Sequence, residues 1–156
     1  MTKLNRFTVF TALAAFALLL LPLTPAQNAA DPWTAPQTIQ PADLVKELAG
    51  SQFAPTVLFV GFQRLYTAGH IKGAQNHGSG GSAEGLAQIK AWAASLPRST
   101  NMVIYCGCCP MERCPNIRPA FTALREMGFK KLRVLILPAS FKVDWAEKGL
   151  PYDKSQ

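Results

Sequence analysis

Three apolar runs, "TVLFVGF" over 56–62, "NMVIYC" over 101–106 and "KLRVLIL" over 131–137, lack the polar alternation of a half-exposed strand. They are six or seven residues long and rich in β-branched and aromatic side chains, which predicts strands buried on both faces. The segments between them carry helical periodicity instead. At "IQPADLVKELAG" Pro41 suits a first helical position, Asp43 the first turn, Leu44, Val45 and Leu48 one face, and Gly50 the stop. After the Gly-rich "NHGSGGS", Ser82 can cap a second helix in which Leu86, Ile89, Ala93 and Leu96 share a face before Pro97. A third starts near Asn116, with Ile117, Ala120, Phe121, Leu124 and Met127 on one side, Pro119 in its tolerant first turn and Gly128 beyond its end. "SFKVDWAEKG" predicts a short last helix. The alternation of strand and helix predicts an α/β fold, a central parallel sheet with helices on both faces.

The N-terminus follows a different rule. Lys3 and Arg6 precede an uncharged apolar stretch from Phe7 to Leu23, and the small residues Thr24 and Ala26 stand at signal-peptidase spacing, so residues 1–26 read as a signal peptide cleaved after Ala26. An uncleaved membrane anchor is the alternative reading, although the stretch is shorter than the ~20 residues that span a bilayer. Export implies the periplasm or the medium. Residues 27–37, rich in Pro, Ala and Asn, form an N-terminal arm, and 38–156 suit one compact domain.

The formal charge of +7 falls by two when Lys3 and Arg6 are removed. Arg113, Arg118, Arg125, Lys130, Lys131 and Arg133 cluster in the C-terminal half, but no arginine-rich run or aromatic stripe supports nucleic-acid binding. A small anionic substrate, or a merely solvated basic face, explains them as well.

All four cysteines fall in "YCGCCPMERCPN", as Cys106, Cys108, Cys109 and Cys114. The segment links the C-terminal end of a predicted parallel strand to a helix N-terminus, where open α/β sheets bind ligands and unpaired amides favour anions. A cysteine held there, with Arg113 and Arg118 nearby, is expected to ionise below the free-thiol value of ~8.5 and act as a nucleophile.

The chain resembles the rhodanese-like domains in several ordered elements: "MVIYC" from Met102, "ALREMGFKKLRVL" from Ala123, "YTAGHIKGA" from Tyr66 and "WAEKGLP" from Trp145. The resemblance spans most of the region from Ile39 to Pro151 and implies a sulfurtransferase. Its cysteine takes a sulfane sulfur from a small anionic donor such as thiosulfate, stores it as a persulfide and passes it to a thiol acceptor. It implies no cofactor. By position the nucleophile is Cys106, with Arg113 orienting the donor, Arg118 a further anion-binding group and His70 a structural residue. Two departures stand out. "FVGFQR" lacks the family's Asp-x-Arg, and six residues separate Cys106 from Arg113 where four are usual. Counting from Cys108 restores four, so Cys108 remains an alternative nucleophile.

Two further readings of the cysteines stay open. In an oxidising compartment Cys109 or Cys114 can resolve a disulfide with Cys106, giving a thiol redox protein. Alternatively all four, with His70 or His77, could clip Zn(II) or Cu(I) in a non-catalytic module, although the spacing lacks paired zinc knuckles.

Overall fold

A computed structural model describes residues 30–50 and 54–155. The expected signal peptide and the first part of the arm lie outside these residues. In chain order the elements are β1 (Thr38–Ile39), α1 (Pro41–Ala49), β2 (Thr56–Phe59), α2 (Gln63–Ala68), β3 (His70–Ile71), β4 (Gln75–Asn76), α3 (Ala83–Ala94), β5 (Met102–Tyr105), α4 (Ile117–Glu126), β6 (Leu132–Leu135), α5 (Phe141–Asp144) and β7 (Tyr152–Asp153). Among the described residues, five strands form one parallel sheet in the order β1-β6-β5-β2-β4, while β3 and β7 pair antiparallel beside it.

The continuous apolar runs are buried on both faces because each face has its own core. Leu58 and Val60 from the β2 run, and Met102, Ile104 and Cys106 from the β5 run, pack with Ile89 of α3 and Ile117, Phe121 and Leu124 of α4. Val57, Phe59, Val103 and Tyr105 face the other way, toward Leu44 of α1, Ile71 and Trp145. Alternation along a strand sends successive side chains to opposite faces. Cys106, one step past Tyr105, is thereby delivered to the α3–α4 side.

Ser82 caps α3 as expected, its hydroxyl accepting from the Gly85 amide at 3.1 Å. Trp33 from the arm packs edge-on against Phe121, with ring centroids 5.4 Å apart. The predicted last helix is instead split, α5 ending at Asp144 and a 3-10 turn running from Ala146 to Lys148. Trp145 breaks it. Its backbone leaves the helical region while its fully buried indole donates to the Pro151 carbonyl at 2.9 Å.

The small β3–β7 sheet is joined to the large one through Tyr105. Its buried hydroxyl accepts from the Ile71 amide at 2.9 Å. Tyr105→Phe leaves that amide unpaired in a dry environment, so it is expected to cost about 1–3 kcal/mol in urea unfolding. A cost near zero would show that the hydroxyl does not hold β3.

Candidate active site

The cysteine segment leaves β5 at the C-terminal edge of the sheet and returns into α4, with a 3-10 turn from Met111 to Arg113 between them. Two backbone contacts hold it to the segment after β6: the Phe141 amide donates to Gly107 O at 3.0 Å and the Met111 amide to Pro138 O at 3.1 Å. Gly107 has φ of 68°, and a Cβ there would lie 2.6 Å from that of Phe141, so glycine is required at the tightest point. The partner segment is stiffened by Asp144, whose carboxylate accepts from the Ala139 and Ser140 amides at 2.7 and 2.9 Å.

All four cysteines are free thiols. Three converge: the sulfurs of Cys106, Cys108 and Cys114 all lie within 4.8 Å of one another. Cys106 and Cys108 are 3.1 Å apart, and Cys109 is 3.3 Å from Cys108 but outside the convergent set. Cys106 and Cys114 are buried, whereas Cys108 and Cys109 are half-buried.

The amides at the start of α4 do not fall on Cys106. Those of Asn116 and Ile117 donate to Cys114, whose pKa is lowered to about 5 first by the hydrogen bond from the Cys106 thiol and then, against burial, by these two amides. Cys106 moves the opposite way, its thiol raised by hydrogen bonding to Cys114 and then by burial. Cys109 is also raised, first by burial and then by its sulfur neighbours. The physical cause is crowding. Several sulfurs in a low-dielectric site cannot all ionise, and the one that meets two backbone donors takes the charge. The direction of these shifts favours Cys114 over Cys106 as the bearer of the first negative charge, the two thiols being hydrogen-bonded to each other.

Asn116, which the sequence suggested only as a helix start, organises the cluster. It is fully buried, and its side-chain oxygen accepts from Ser79 Oγ and the Gly81 amide, both at 2.8 Å. That fixes the amide's orientation and aims Nδ2 at Cys106 Sγ, 3.3 Å away, and at Cys108 Sγ, 3.7 Å away. The Gly-rich loop before α3 exists for this contact. A Cβ on Gly81 would come 2.6 Å from the Asn116 oxygen, and one on Gly80 would overlap its carbonyl.

The remaining expected site residues lie elsewhere. Arg113 is exposed in the 3-10 turn and lines neither hollow that contains cysteines. Arg118 is engaged by Asp31 at 2.6 Å and by the Met111 carbonyl at 3.2 Å, and its guanidinium lies over the Trp33 ring. His70 is buried, stacked on Tyr66 with centroids 3.8 Å apart and bonded to the Tyr66 carbonyl at 2.8 Å. His77 stacks on Trp92 and meets Gln75, so neither histidine joins the sulfurs. A cleft of about 570 Å³ opens over Cys106 and Cys108, with Phe59, Phe141 and Tyr152 in its walls and Lys142, Lys154 and Glu147 among its lining residues, Lys142 lying 3.6 Å from Glu147.

No protein-family model matches the sequence, and no curated protein matches it. Solved structures do. A rhodanese-like domain from Anabaena sp. aligns with a TM-score of 0.55 and 24% identity, covering 76% of this chain and 79% of its own. A Bacillus halodurans protein gives a TM-score of 0.59 at 18% identity, covering 76% and 77%. EanB, solved as a cysteine persulfide with ergothioneine, gives 0.56 at 23% identity over 75% of this chain and 28% of EanB. The fold is thus rhodanese-like, with a cysteine-rich loop at its sheet edge.

Two outcomes follow from this geometry. Lowering of Cys114 contributes nothing to stability below about pH 5 and progressively more as pH rises toward the ordinary thiol value of 9.0. Raising of Cys106 contributes fully below 9.0 and is lost above it. Urea midpoints are expected to climb from about pH 5 to 9 and then fall, and Cys114→Ser should flatten the climb. Asn116→Asp keeps the acceptor for Ser79 and Gly81 but sets a carboxylate against the sulfurs. The midpoint of the pH profile of alkylation should shift upward from about 5. An unchanged midpoint would remove Asn116 from the site.

Proposed function

We propose that this chain is an exported sulfurtransferase-type thiol enzyme that carries a sulfane sulfur as a persulfide on Cys106. The observation that carries the reading is the position of Cys106. Cys106 and Cys108 both line the open cleft and meet the Asn116 amide, but Cys106 is the nearer to it, at 3.3 against 3.7 Å, and its hydrogen bond is the largest influence on Cys114. Export rests on the N-terminal pattern of residues 1–26.

In this mechanism the Cys114 thiolate accepts the Cys106 proton as Cys106 attacks the sulfane sulfur of a donor such as thiosulfate. The new bond joins Cys106 Sγ to that sulfur, the sulfur–sulfur bond of the donor breaks, and its electron pair leaves with sulfite. Asn116 Nδ2 and the Cys108 backbone amide, which already meets Cys106, stabilise the anionic persulfide. An acceptor thiolate then attacks the outer sulfur and returns Cys106 as a thiolate, which recovers its proton from Cys114. Lys142 and Lys154 take the role of drawing in the anionic donor that the sequence assigned to Arg113 and Arg118.

A redox reading draws on the same convergence. Cys114, passing the proton it took up to the departing outer sulfur, can attack Cys106 of the persulfide, forming a Cys106–Cys114 disulfide and expelling hydrosulfide. Such a bridge closes the cycle to further transfer until a reductant reopens it.

Incubation with thiosulfate followed by intact-mass measurement is expected to add one sulfur atom that cyanide removes. Cys106→Ser should lose both the added mass and turnover. If Cys108→Ser loses them instead, the nucleophile is Cys108. Lys142→Ala is expected to raise KM for an anionic donor with little change in kcat, since it removes binding that is shared by ground and transition states.

A further inference from the structure

We propose that Cys106, Cys108 and Cys114 form a trigonal site for a soft monovalent cation, with Cu(I) as its occupant. The inference goes beyond sulfur transfer and does not depend on it, since it concerns the equilibrium binding of an ion to three sulfurs.

The geometry is close to that of a preformed site. Three thiolates around a metal at a metal–sulfur distance of ~2.3 Å stand about 4.0 Å from one another in a plane. Here all three sulfurs lie within 4.8 Å of one another, and the Cys106–Cys108 pair, at 3.1 Å, must open. The half-buried Cys108, which follows the positive-φ Gly107, is the member placed to move. A hollow of about 10 Å³ adjoins Cys106 and Cys114, and its other walls include Met111, Ile117 and Leu137, with Cys109 at one side.

Donor chemistry selects the ion. Among the described residues the converging ligand atoms are sulfur alone, with no carboxylate and no imidazole. Hard cations such as Mg(II) and Ca(II) need oxygen ligands, and Zn(II) in structural sites takes four donors in a tetrahedron. Sulfur donors select soft ions, and Cu(I) is the soft monovalent member of that group. Binding forms three copper–sulfur bonds, sends the remaining thiol protons to solvent and changes no oxidation state. The negative charge left on the complex meets donors already in place, Asn116 Nδ2 toward Cys106 and Cys108 and the α4 amides toward Cys114. Copper and persulfide would compete for the same sulfur.

The test offers Cu(I) anaerobically to the reduced protein against a coloured Cu(I) chelator, with no sulfur donor present, and reads the sulfur shell by X-ray absorption. One ion per chain with three sulfur neighbours is expected. Cys106→Ser, Cys108→Ser and Cys114→Ser should each lose more than the ~10–100-fold that changing an outer-shell partner typically costs. Cys109→Ser should bind like the parent. If Cys114→Ser fails to fold by circular dichroism, Cys108→Ser decides, because it changes a half-buried residue. The proposal is overturned if Cys108→Ser binds as tightly as the parent, if Cys109→Ser loses as much as the other three, or if Zn(II) displaces the copper. A protein that binds copper without transferring sulfur leaves this site standing and removes the enzyme reading alone.

Discussion

The Cys106 thiol and two backbone amides meeting at one sulfur, Cys114, set the chemistry of this site. The N–H groups of Asn116 and Ile117 have no earlier turn of α4 to bond, and they find Cys114 instead. Everything upstream serves to bring that sulfur to them. β5 ends on the sheet edge, Gly107 allows the chain to turn against Phe141, and the contact from Met111 to Pro138 folds the loop back toward the helix. Asn116 then closes the arrangement from below, tied to the loop before α3 through Ser79 and Gly81.

From this placement follows a division of roles among the sulfurs. Both Cys114 and Cys106 are buried, but Cys114 is the one favoured as thiolate, while Cys106, with its thiol raised, is the one that lines the cleft. Low dielectric around the pair makes a second ionisation costly, so the cluster behaves as one acid rather than as several independent thiols. A single shared charge explains how a buried thiol can be poised for attack without being ionised at rest. The same crowding gives a soft cation three donors at once. The proposed sulfur transfer and the proposed copper binding are therefore two uses of one arrangement, and they could not occupy it together.

Much of the architecture was legible in the chain. The runs at 56–62, 101–106 and 131–137 coincide with β2, β5 and β6 because strands covered on both faces must be apolar throughout. Helices α1, α3 and α4 announced themselves by period and cap. The two-residue strands β1, β3, β4 and β7 did not, since two residues carry no periodicity, and α2 has no buried residue to produce one. The loop was identifiable as the site, yet which sulfur receives the amides depends on how far the chain doubles back. That distance is invisible in spacing. Asn116 was hidden for a similar reason, its partners Ser79 and Gly81 being remote in sequence, although the cluster of glycines at 78–81 signalled a close backbone approach.

Ultraviolet titration of thiolate absorbance in the reduced protein tests the central claim most directly. The account predicts one thiolate appearing with a midpoint of about 5, well separated from the others, and its disappearance in Cys114→Ser. Four thiols ionising together near the ordinary value of 9.0, or an early thiolate that survives Cys114→Ser, would contradict it.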